Sequence, residues 1–248
     1  NLIIPTSDEE ALNLTKNRKK IETNGTILAC TNYENLKVFS SKAKTYEKVS
    51  EIGFNVAEWF EVKDRIKFFK IFNYFIKKKK NFVIKPSSAR GGRNVIVFKK
   101  NKFLKLTKND KKNFLNEIIN EYKNYYPLII SEQLFEPIYD LDLLSWKGKL
   151  IRGVVRRRVN PADPNEGHII EENKEIIKQG EKIVKFFNLS WLYDCDFMFD
   201  KKGNPILIEI NPRMSGSASV SMAAGVPFFD DIISLARNKS LPKKKNSH

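Results

Sequence analysis

Residues 194–217, DCDFMFDKKGNPILIEINPRMSGS, constrain the fold more than any other stretch of the chain. Two apolar runs are separated by residues 200–204, where Gly203 and Asn204 mark a tight turn. The pattern predicts a β-hairpin whose second strand ends in a polar loop.

In a symmetric hairpin with Phe199 opposite Ile206, Asp196 lies opposite Glu209. Opposed residues have Cβ atoms about 4.5–5.5 Å apart, so two carboxylates repel unless a cation or a proton lies between them. Asn211 shares the face of Glu209 because side chains alternate along a strand. The sequence therefore predicts these three oxygen ligands for Mg²⁺ or Mn²⁺. An acidic surface hairpin is the alternative, and the apolar second strand weakens it because unpaired charge is costly on a buried strand.

Length and composition limit the class of protein. With 248 residues and 41% hydrophobic residues, the chain can form one large domain or two small ones. It has no 18-residue apolar run and no signal-peptide pattern, which predicts a cytoplasmic protein without membrane contact. Its two cysteines, Cys30 and Cys195, lack metal-ligand spacing and do not suggest a disulfide framework, which fits a reducing compartment.

The formal net charge of +16 raises the hypothesis of a basic nucleic-acid-binding module. Such a module would interleave basic and aromatic residues on one face. Here lysines are spread over the whole chain, and the aromatic runs at 68–69 and 186–187 have the spacing of a helical core. We therefore expect no nucleic-acid partner, and the basic module is kept as an alternative function.

A strand, a loop and a second strand span residues 82–98. Lys85 ends the first strand, and the Ser- and Gly-rich loop that follows brings backbone N–H groups close to a bound anion. No Gly-Lys-Ser/Thr follows, so this is not a Walker A loop. The segment predicts a phosphate site, with a plain turn as the alternative.

Arginines on the strand from Leu150 to Val159 form another candidate site. Arg152, Arg156 and Arg158 alternate onto one face. Guanidinium groups bind phosphate and carboxylate in a bidentate manner, so this face predicts an anionic partner. An exposed, arginine-rich sheet face is the alternative.

These motifs, in this order, resemble the ATP-grasp superfamily, and the nearest resemblance is to carbamoyl-phosphate-synthase-large-subunit-like and other carboxylate–amine ligases. The most specific motif is 208–213, IEINPR. The resemblance implies an α/β (α+β) ATP-grasp fold, in which two α+β subdomains clasp the nucleotide. It divides the chain into the remnant of an α/β N-terminal domain (1–40), the ATP-grasp domain (41–240, with a small lid subdomain at about 82–130 and a large subdomain at about 131–240) and a basic tail (241–248).

The resemblance also assigns roles to residues. It places Asp196, Glu209 and Asn211 on the metal, and it places Arg213, with Arg156 or Arg152, on the transferred phosphate or acyl phosphate. The nucleotide-binding candidates that it implies are Lys42, Lys85, Ser87, Ser88, Gly91, Gly92, Glu132, Gln133, Leu134, Glu136 and Asp140.

Among these, the backbone of Glu132, Gln133 and Leu134 would contact the adenine. The position of the usual ribose-binding acid is Ile138 in this chain, so either Glu136 takes over that contact or the contact is missing.

The reaction implied is ligation that uses ATP and Mg²⁺ (or Mn²⁺). ATP phosphorylates a small-molecule carboxylate, and an amine or another nucleophile displaces phosphate from the acyl phosphate. A homodimer is compatible with the sequence. An ATP-grasp protein that binds ATP without ligating is a further alternative.

Overall fold

The computed structural model describes residues 1–88, 94–163, 166–239 and 241. Its helices and strands, in chain order, are β1 (Leu2–Ile3), α1 (Asp8–Lys16), α2 (Arg18–Glu22), β2 (Ile27–Leu28), α3 (Tyr33–Phe39), α4 (Lys42–Ser50), β3 (Trp59–Val62), α5 (Arg65–Lys77), β4 (Phe82–Pro86), β5 (Ile96–Phe98), α6 (Lys100–Leu104), α7 (Lys108–Tyr122), β6 (Leu128–Glu132), β7 (Phe135–Trp146), β8 (Lys149–Arg158), β9 (His168–Ile170), α8 (Lys174–Phe186), β10 (Trp191–Phe199), β11 (Pro205–Asn211), α9 (Ala218–Ala223) and α10 (Phe228–Ala236).

The chain forms two compact units. The first contains residues 1–40 and 136–198 and the described residues after 206, and the second contains residues 41–135 and 199–206. Mixed α and β structure with antiparallel pairing confirms the predicted fold class.

The first unit is built on a five-stranded sheet in the order β11-β10-β7-β8-β9. Strands β7 and β8 are antiparallel, with Asp140 opposite Arg156, and the two-residue loop Lys147–Gly148 joins them. Both loop residues have a left-handed φ, +48° and +77°, as the twist of a short hairpin requires. Helix α8 lies close to this sheet, because a Cβ on Gly180 would come within 2.6 Å of Leu141 Cδ2.

The hairpin predicted at residues 194–217 is present. Strands β10 and β11 are neighbours in the sheet, and the backbone N–H of Asp200 donates to the carbonyl of Asn204 at 3.0 Å. The Asp200 carboxylate also accepts hydrogen bonds from the backbone N–H groups of Lys202 and Asn204, which closes the turn locally.

The remaining elements of the first unit bury two apolar clusters. Ala11, Leu28, Cys30 and Leu36 pack where the parallel pair β1–β2 meets the first helices. The second cluster joins strand ends to α10 and consists of Ala29, Leu144, Val154, Trp191, Leu192, Phe228, Ile232 and Leu235. Both cysteines are buried and free.

The second unit has a four-stranded sheet in the order β3-β6-β4-β5. Helix α5 begins after Asp64, whose side chain accepts a hydrogen bond from the backbone N–H of Lys67 at 2.8 Å. The core of the second unit is aromatic: Phe72 lies edge-on to Phe82 and to Phe98, with ring centroids 5.2 and 4.9 Å apart. The aromatic run at 68–69, predicted to have the spacing of a helical core, lies on α5, and Phe68 is fully buried there.

Across both units, none of the helices that the structure describes is sufficiently long and apolar to cross a lipid bilayer.

Candidate metal and phosphate sites

Strands β7, β8 and β10 bring a buried cluster of opposite charges together within the first unit. Because side chains alternate along a strand, residues two apart on each strand face the same side. The members are four aspartates, Asp140, Asp142, Asp194 and Asp196, and two arginines, Arg156 and Arg158. We call this set the acidic cluster.

Arg156 is fully buried, and its guanidinium is held on several sides. Its Nε and one terminal nitrogen donate to the two carboxylate oxygens of Asp142 at 2.8 and 2.9 Å. The terminal nitrogens also donate to Ser217 Oγ at 2.8 Å and to Ser215 Oγ at 3.2 Å. Asp142 accepts a further hydrogen bond from Ser221 Oγ at 2.6 Å. The bidentate pair therefore links the sheet to the loop that follows β11.

Arg158 bridges two aspartates of the cluster. Its Nε donates to both oxygens of Asp140 at 3.1 and 3.0 Å, and a terminal nitrogen donates to Asp196 Oδ2 at 2.8 Å. Asp140 Oδ2 also lies 2.8 Å from His168 Nε2. Burial would raise the pKa of Asp140, but Arg158, Arg156 and His168 outweigh it and lower that pKa below its usual value.

The negative charge of Asp194 is less well compensated than that of Asp140. It is 4% exposed, and its Oδ2 accepts a hydrogen bond from Asn211 Nδ2 at 3.0 Å. Its Oδ1 is buried without a hydrogen-bond partner, and the nearest cationic nitrogen, on Arg156, is 3.8 Å away. Burial, followed by the charges of Asp196 and Asp140, raises the pKa of Asp194 well above its usual value.

Negative charges also outweigh positive charges around Asp196. Burial, followed by the charges of Asp140 and Glu209, raises its pKa to about 7 against the lowering effect of Arg158. Ligand oxygens of Asp140, Asp194 and Asp196 all lie within 4.8 Å of one another. A hard divalent cation requires such a set of oxygen ligands, so these residues fit Mg²⁺ or Mn²⁺.

The structure places the predicted metal ligands beside Asp194 in the acidic cluster. Asn211 Nδ2 contacts Asp194 and, at 3.4 Å, Asp196 Oδ1, and Glu209 is half-buried and close enough to affect the pKa of Asp196. Asp140 and Asp194 are not among the metal ligands predicted from the sequence. The signal was available in the two Asp-X-Asp spacings, 140–142 and 194–196, which place each pair of carboxylates on one face of a strand.

The other two predicted arginines lie in ion pairs. Arg152 Nε donates to Asp231 Oδ2 at 2.7 Å, and both side chains are largely buried. Arg213 Nε lies 3.4 Å from Asp8 Oδ1, and its NH1 donates to the carbonyl of Met214 at 3.1 Å. Of the three arginines predicted on the acyl phosphate, Arg213 is the most exposed, at 21%.

The second unit gathers the predicted phosphate-binding residues that the structure describes. Lys85 is 9% exposed and donates to Tyr46 Oη at 3.0 Å. The backbone N–H of Lys42 donates to the carbonyl of Ser87 at 3.0 Å, so α4 starts beside the end of β4. Ser87 is buried and Ser88 is exposed. Gly91 and Gly92 lie outside the described residues.

The predicted hinge at 132–134 is held by polar contacts within the second unit. Glu132 accepts from Lys80 Nζ at 2.9 Å and from the backbone N–H of Glu58 at 3.2 Å. Gln133 Oε1 accepts from Asn81 Nδ2 and from Lys99 Nζ, both at 3.1 Å. Leu134 is half-buried.

The two acidic residues predicted near the ribose lie in different surroundings. Glu136 is exposed, and Asp140 is buried in the acidic cluster. Asp140 thus lies among the candidate metal ligands, because its carboxylate oxygen is within 4.8 Å of those of Asp194 and Asp196.

The chain is similar to several solved structures that share this fold. The biotin carboxylase domain of Hydrogenobacter thermophilus 2-oxoglutarate carboxylase has a TM-score of 0.71 and 18% identity over 98% of this chain and 55% of that one. D-alanyl-alanine synthetase A of Vibrio cholerae has a TM-score of 0.68 and 12% identity over 96% and 76%. N5-carboxyaminoimidazole synthetase of Staphylococcus aureus has a TM-score of 0.64 and 14% identity over 95% and 59%.

Sequence comparison gives a relative and a family. An uncharacterized protein of Methanocaldococcus jannaschii is 28% identical over 192 residues, which are 75% of this chain and 43% of that protein. The chain thus spans less than half the length of this relative. Residues 124–248, half of the chain, match the family described as "ATP-grasp in the biosynthetic pathway with Ter operon". The IEINPR strand end and the acidic cluster lie within this match, and the chain belongs to that ATP-grasp family.

Proposed function

We propose that this protein is an ATP- and Mg²⁺-dependent ligase that activates a carboxylate as an acyl phosphate. The γ-phosphoryl group of ATP passes to a carboxylate oxygen, which leaves ADP. An amine or another nucleophile then attacks the acyl carbon, the C–O bond to phosphate breaks, and the attacking group loses its proton.

The observation that supports the proposal best is the acidic cluster. Three buried aspartates and the half-buried Asp196 surround two arginines, and Asp194 Oδ1 has no hydrogen-bond partner. Buried charge without compensation is costly, so a fold that keeps it is expected to neutralise it with a ligand. Mg²⁺ on Asp196, Glu209 and Asn211, when bound, would neutralise charge on the phosphates of ATP.

In the second unit, we assign phosphate binding to Lys42, Lys85 and the serines at 87–88. A lysine ammonium is a compact charge suited to phosphate oxygens. The contact of Lys85 with Tyr46 Oη places its charge at the end of β4. The backbone of Glu132, Gln133 and Leu134 is assigned to the adenine, and Gly91 and Gly92 to the phosphates.

The three arginines take different roles in this proposal. Arg213 is the most exposed of them and is assigned to the acyl phosphate. Arg156 and Arg152 are engaged with Asp142 and Asp231, so we assign them to positioning: Arg156 holds the loop at Ser215 and Ser217, and Arg152 holds α10. Phosphoryl transfer depends on such positioning because the protein supplies little covalent chemistry.

The choice of reaction class is also supported by what the solved structures contain. The Hydrogenobacter domain was solved with MgADP, ADP and bicarbonate, and the Vibrio protein is a D-alanyl-alanine synthetase. We extend to this chain the binding of a magnesium nucleotide and a small acid that the first name states, and the synthetase activity that the second name gives. A cytoplasmic location and a homodimer remain part of the proposal.

The test is an ADP-release assay on the full chain with a matrix of carboxylates and amines, run with and without Mg²⁺. Release that needs one carboxylate, one nucleophile and Mg²⁺ is the expected result. Glu209→Gln is expected to reduce kcat by about 10²-fold or more, because it weakens the hold on the Mg²⁺ that would neutralise charge on the transferred group. Glu171→Gln is the control, because Glu171 follows the edge strand β9 of the first unit and forms its ion pair with Arg157.

Two outcomes contradict the proposal. Mg²⁺-dependent ATP binding by calorimetry without release in any pair would favour an ATP-grasp protein that binds without ligating. Absence of ATP binding together with salt-sensitive binding to DNA or RNA would favour the basic module.

A further inference from the structure

We propose that Asp194, together with Asp140 and Asp196, forms a divalent-cation site that fills before the nucleotide binds. Asp194 adds a carboxylate to the metal ligands of the proposed function. The inference rests on that function only for the identity of the cation as Mg²⁺ or Mn²⁺.

The first argument is the orientation of Asp194. Its Oδ2 is fixed by Asn211 Nδ2 at 3.0 Å, so its Oδ1 cannot turn toward that amide as well. The nearby Arg156 is committed to Asp142 and to Ser217 at 2.8 Å. Oδ1 is therefore a buried acceptor, in a side chain that is 4% exposed, with no donor in the described structure to satisfy it. Native proteins pair nearly all such atoms.

The second argument is charge. The four aspartates of the cluster carry four negative charges when ionised, and Arg156 and Arg158 carry two positive charges, which leaves two negative charges. One divalent cation balances this excess. Asp142 is satisfied by Arg156 and Ser221, so the excess lies on the side of Asp194 and Asp196.

The third argument is ligand number. Oxygens of Asp140, Asp194 and Asp196 lie within 4.8 Å of one another, close enough to bind one ion. Mg²⁺ is usually held by one or two carboxylates, with substrate phosphates and water completing its shell. A third carboxylate supplies from the protein some of the negative charge that phosphate otherwise brings. Cation binding without nucleotide follows from that difference.

The experiment is an EPR titration of the full chain with Mn²⁺ in the absence of nucleotide, followed by displacement with Mg²⁺. We expect one tightly bound Mn²⁺ per chain that Mg²⁺ displaces. Asp194→Asn is expected to weaken Mn²⁺ binding by about tenfold or more, the range seen when groups that support a metal are removed. Asp231→Asn is the matched control, because Asp231 is an equally buried aspartate paired with Arg152, and it should keep the affinity for Mn²⁺.

Thermal unfolding of the same proteins gives a second measurement that a purely structural role would not produce. Because the substitution removes uncompensated charge, the metal-free Asp194→Asn variant should have a melting temperature equal to or above that of the metal-free wild type. Saturating Mn²⁺ should raise the melting temperature of the wild type, since a ligand that binds only the folded state stabilises it, and should leave that of the variant nearly unchanged.

Two results would overturn the inference. One is a wild-type chain that binds Mn²⁺ only when ATP is present. This result is measured on the wild type alone. The other is a folded Asp194→Asn variant with wild-type affinity for Mn²⁺. Failure of the proposed function looks different, because nucleotide-free Mn²⁺ binding would persist in a protein that releases no ADP with any substrate pair.

Discussion

Asp8 Oδ1 lies 3.4 Å from Arg213 Nε, which joins the start of helix α1 to the second residue after strand β11. Asp8 is 7% exposed, so the pair is shielded from water on the carboxylate side. The resemblance of the motif around Arg213 to ATP-grasp ligases implies a contact with the transferred phosphate. Residues 1–40 therefore help to set the position of a group that we assign to the reaction.

Asp8→Asn should lower kcat of the ligation by about tenfold while leaving the affinity for MgATP nearly unchanged. The reason is that misplacement of a charged group by an ångström can cost up to about 10²-fold in rate. Kinetics of ADP release against ATP and against the carboxylate would separate kcat from KM.

Glu9→Gln is the control for this prediction. Glu9 is an exposed acid in the same first turn of α1, so its removal has a similar effect on the helix dipole without removing the ion pair with Arg213. Equal losses in both variants would show that helix stability, and not the position of Arg213, accounts for the effect.

Arg156→Met should destabilise the first unit by about 3–5 kcal/mol, because it leaves Asp142 as an uncompensated buried charge. The carboxylate would retain only the hydrogen bond from Ser221 among the side chains that hold it. Urea unfolding of the variant and the wild type measures this difference.

The double variant Arg156→Met with Asp142→Asn isolates the pair. Residues in direct contact show non-additive effects, so the double variant should be less destabilised than the sum of the two single variants. Strict additivity would mean that the ion pair seen between these side chains contributes nothing to stability.

Sequence patterns were sufficient for features that depend on neighbours along the chain. The hairpin of β10 and β11 follows from apolar runs flanking residues 200–204, and the aromatic run at 68–69, predicted to belong to a helical core, lies on α5, where Phe68 is fully buried.

Contacts between distant segments could not be read in this way. The pairing of Asp142 with Ser221 joins residues 79 positions apart, and no periodicity within β7 or α9 specifies it. The same holds for Asp8 and Arg213. Such contacts depend on the order of strands in the sheet, and the positions of Asp140 and Asp194 in one cluster depend on β7 lying beside β10.

Glu58→Gln should change the acid stability of the second unit. Burial raises the pKa of Glu58, but hydrogen bonds from Lys80, Tyr74 and Lys78 outweigh it and lower the pKa to about 2. A lowered pKa contributes stability above the unfolded value, which is lost as pH falls through the folded value. The free energy of unfolding of the wild type should thus fall toward that of Glu58→Gln as the pH is lowered from about 4.5 to about 2.

Melting temperatures of both proteins across that range test the sign. The difference should be largest near neutral pH and should shrink as the solution is acidified. A difference that is constant with pH would mean that Glu58 acts through packing and not through its charge.

Gly148→Ala should destabilise the first unit by about 1–2 kcal/mol, the cost of placing a side chain in the left-handed region. Gly148 has φ +77°, and a Cβ there would lie 2.9 Å from Asn188 Oδ1. Gly216→Ala serves as the comparison for urea unfolding, because a Cβ at Gly216 meets nothing within 4 Å, and its effect should stay within about 0.5 kcal/mol. Equal effects would rule out the backbone conformation as the cause.

The division of the first unit into separate stretches has a consequence for synthesis on the ribosome. Residues 41–134, nearly all of the second unit, are complete before any of β7 to β11 has been made. Ala29, in contrast, packs with Phe228 and Ile232, which are translated about two hundred residues later. At about 5–20 residues per second, this part of the chain waits on the order of ten to forty seconds for its partners. Binding of a chaperone during translation is therefore expected to concentrate on residues 1–40.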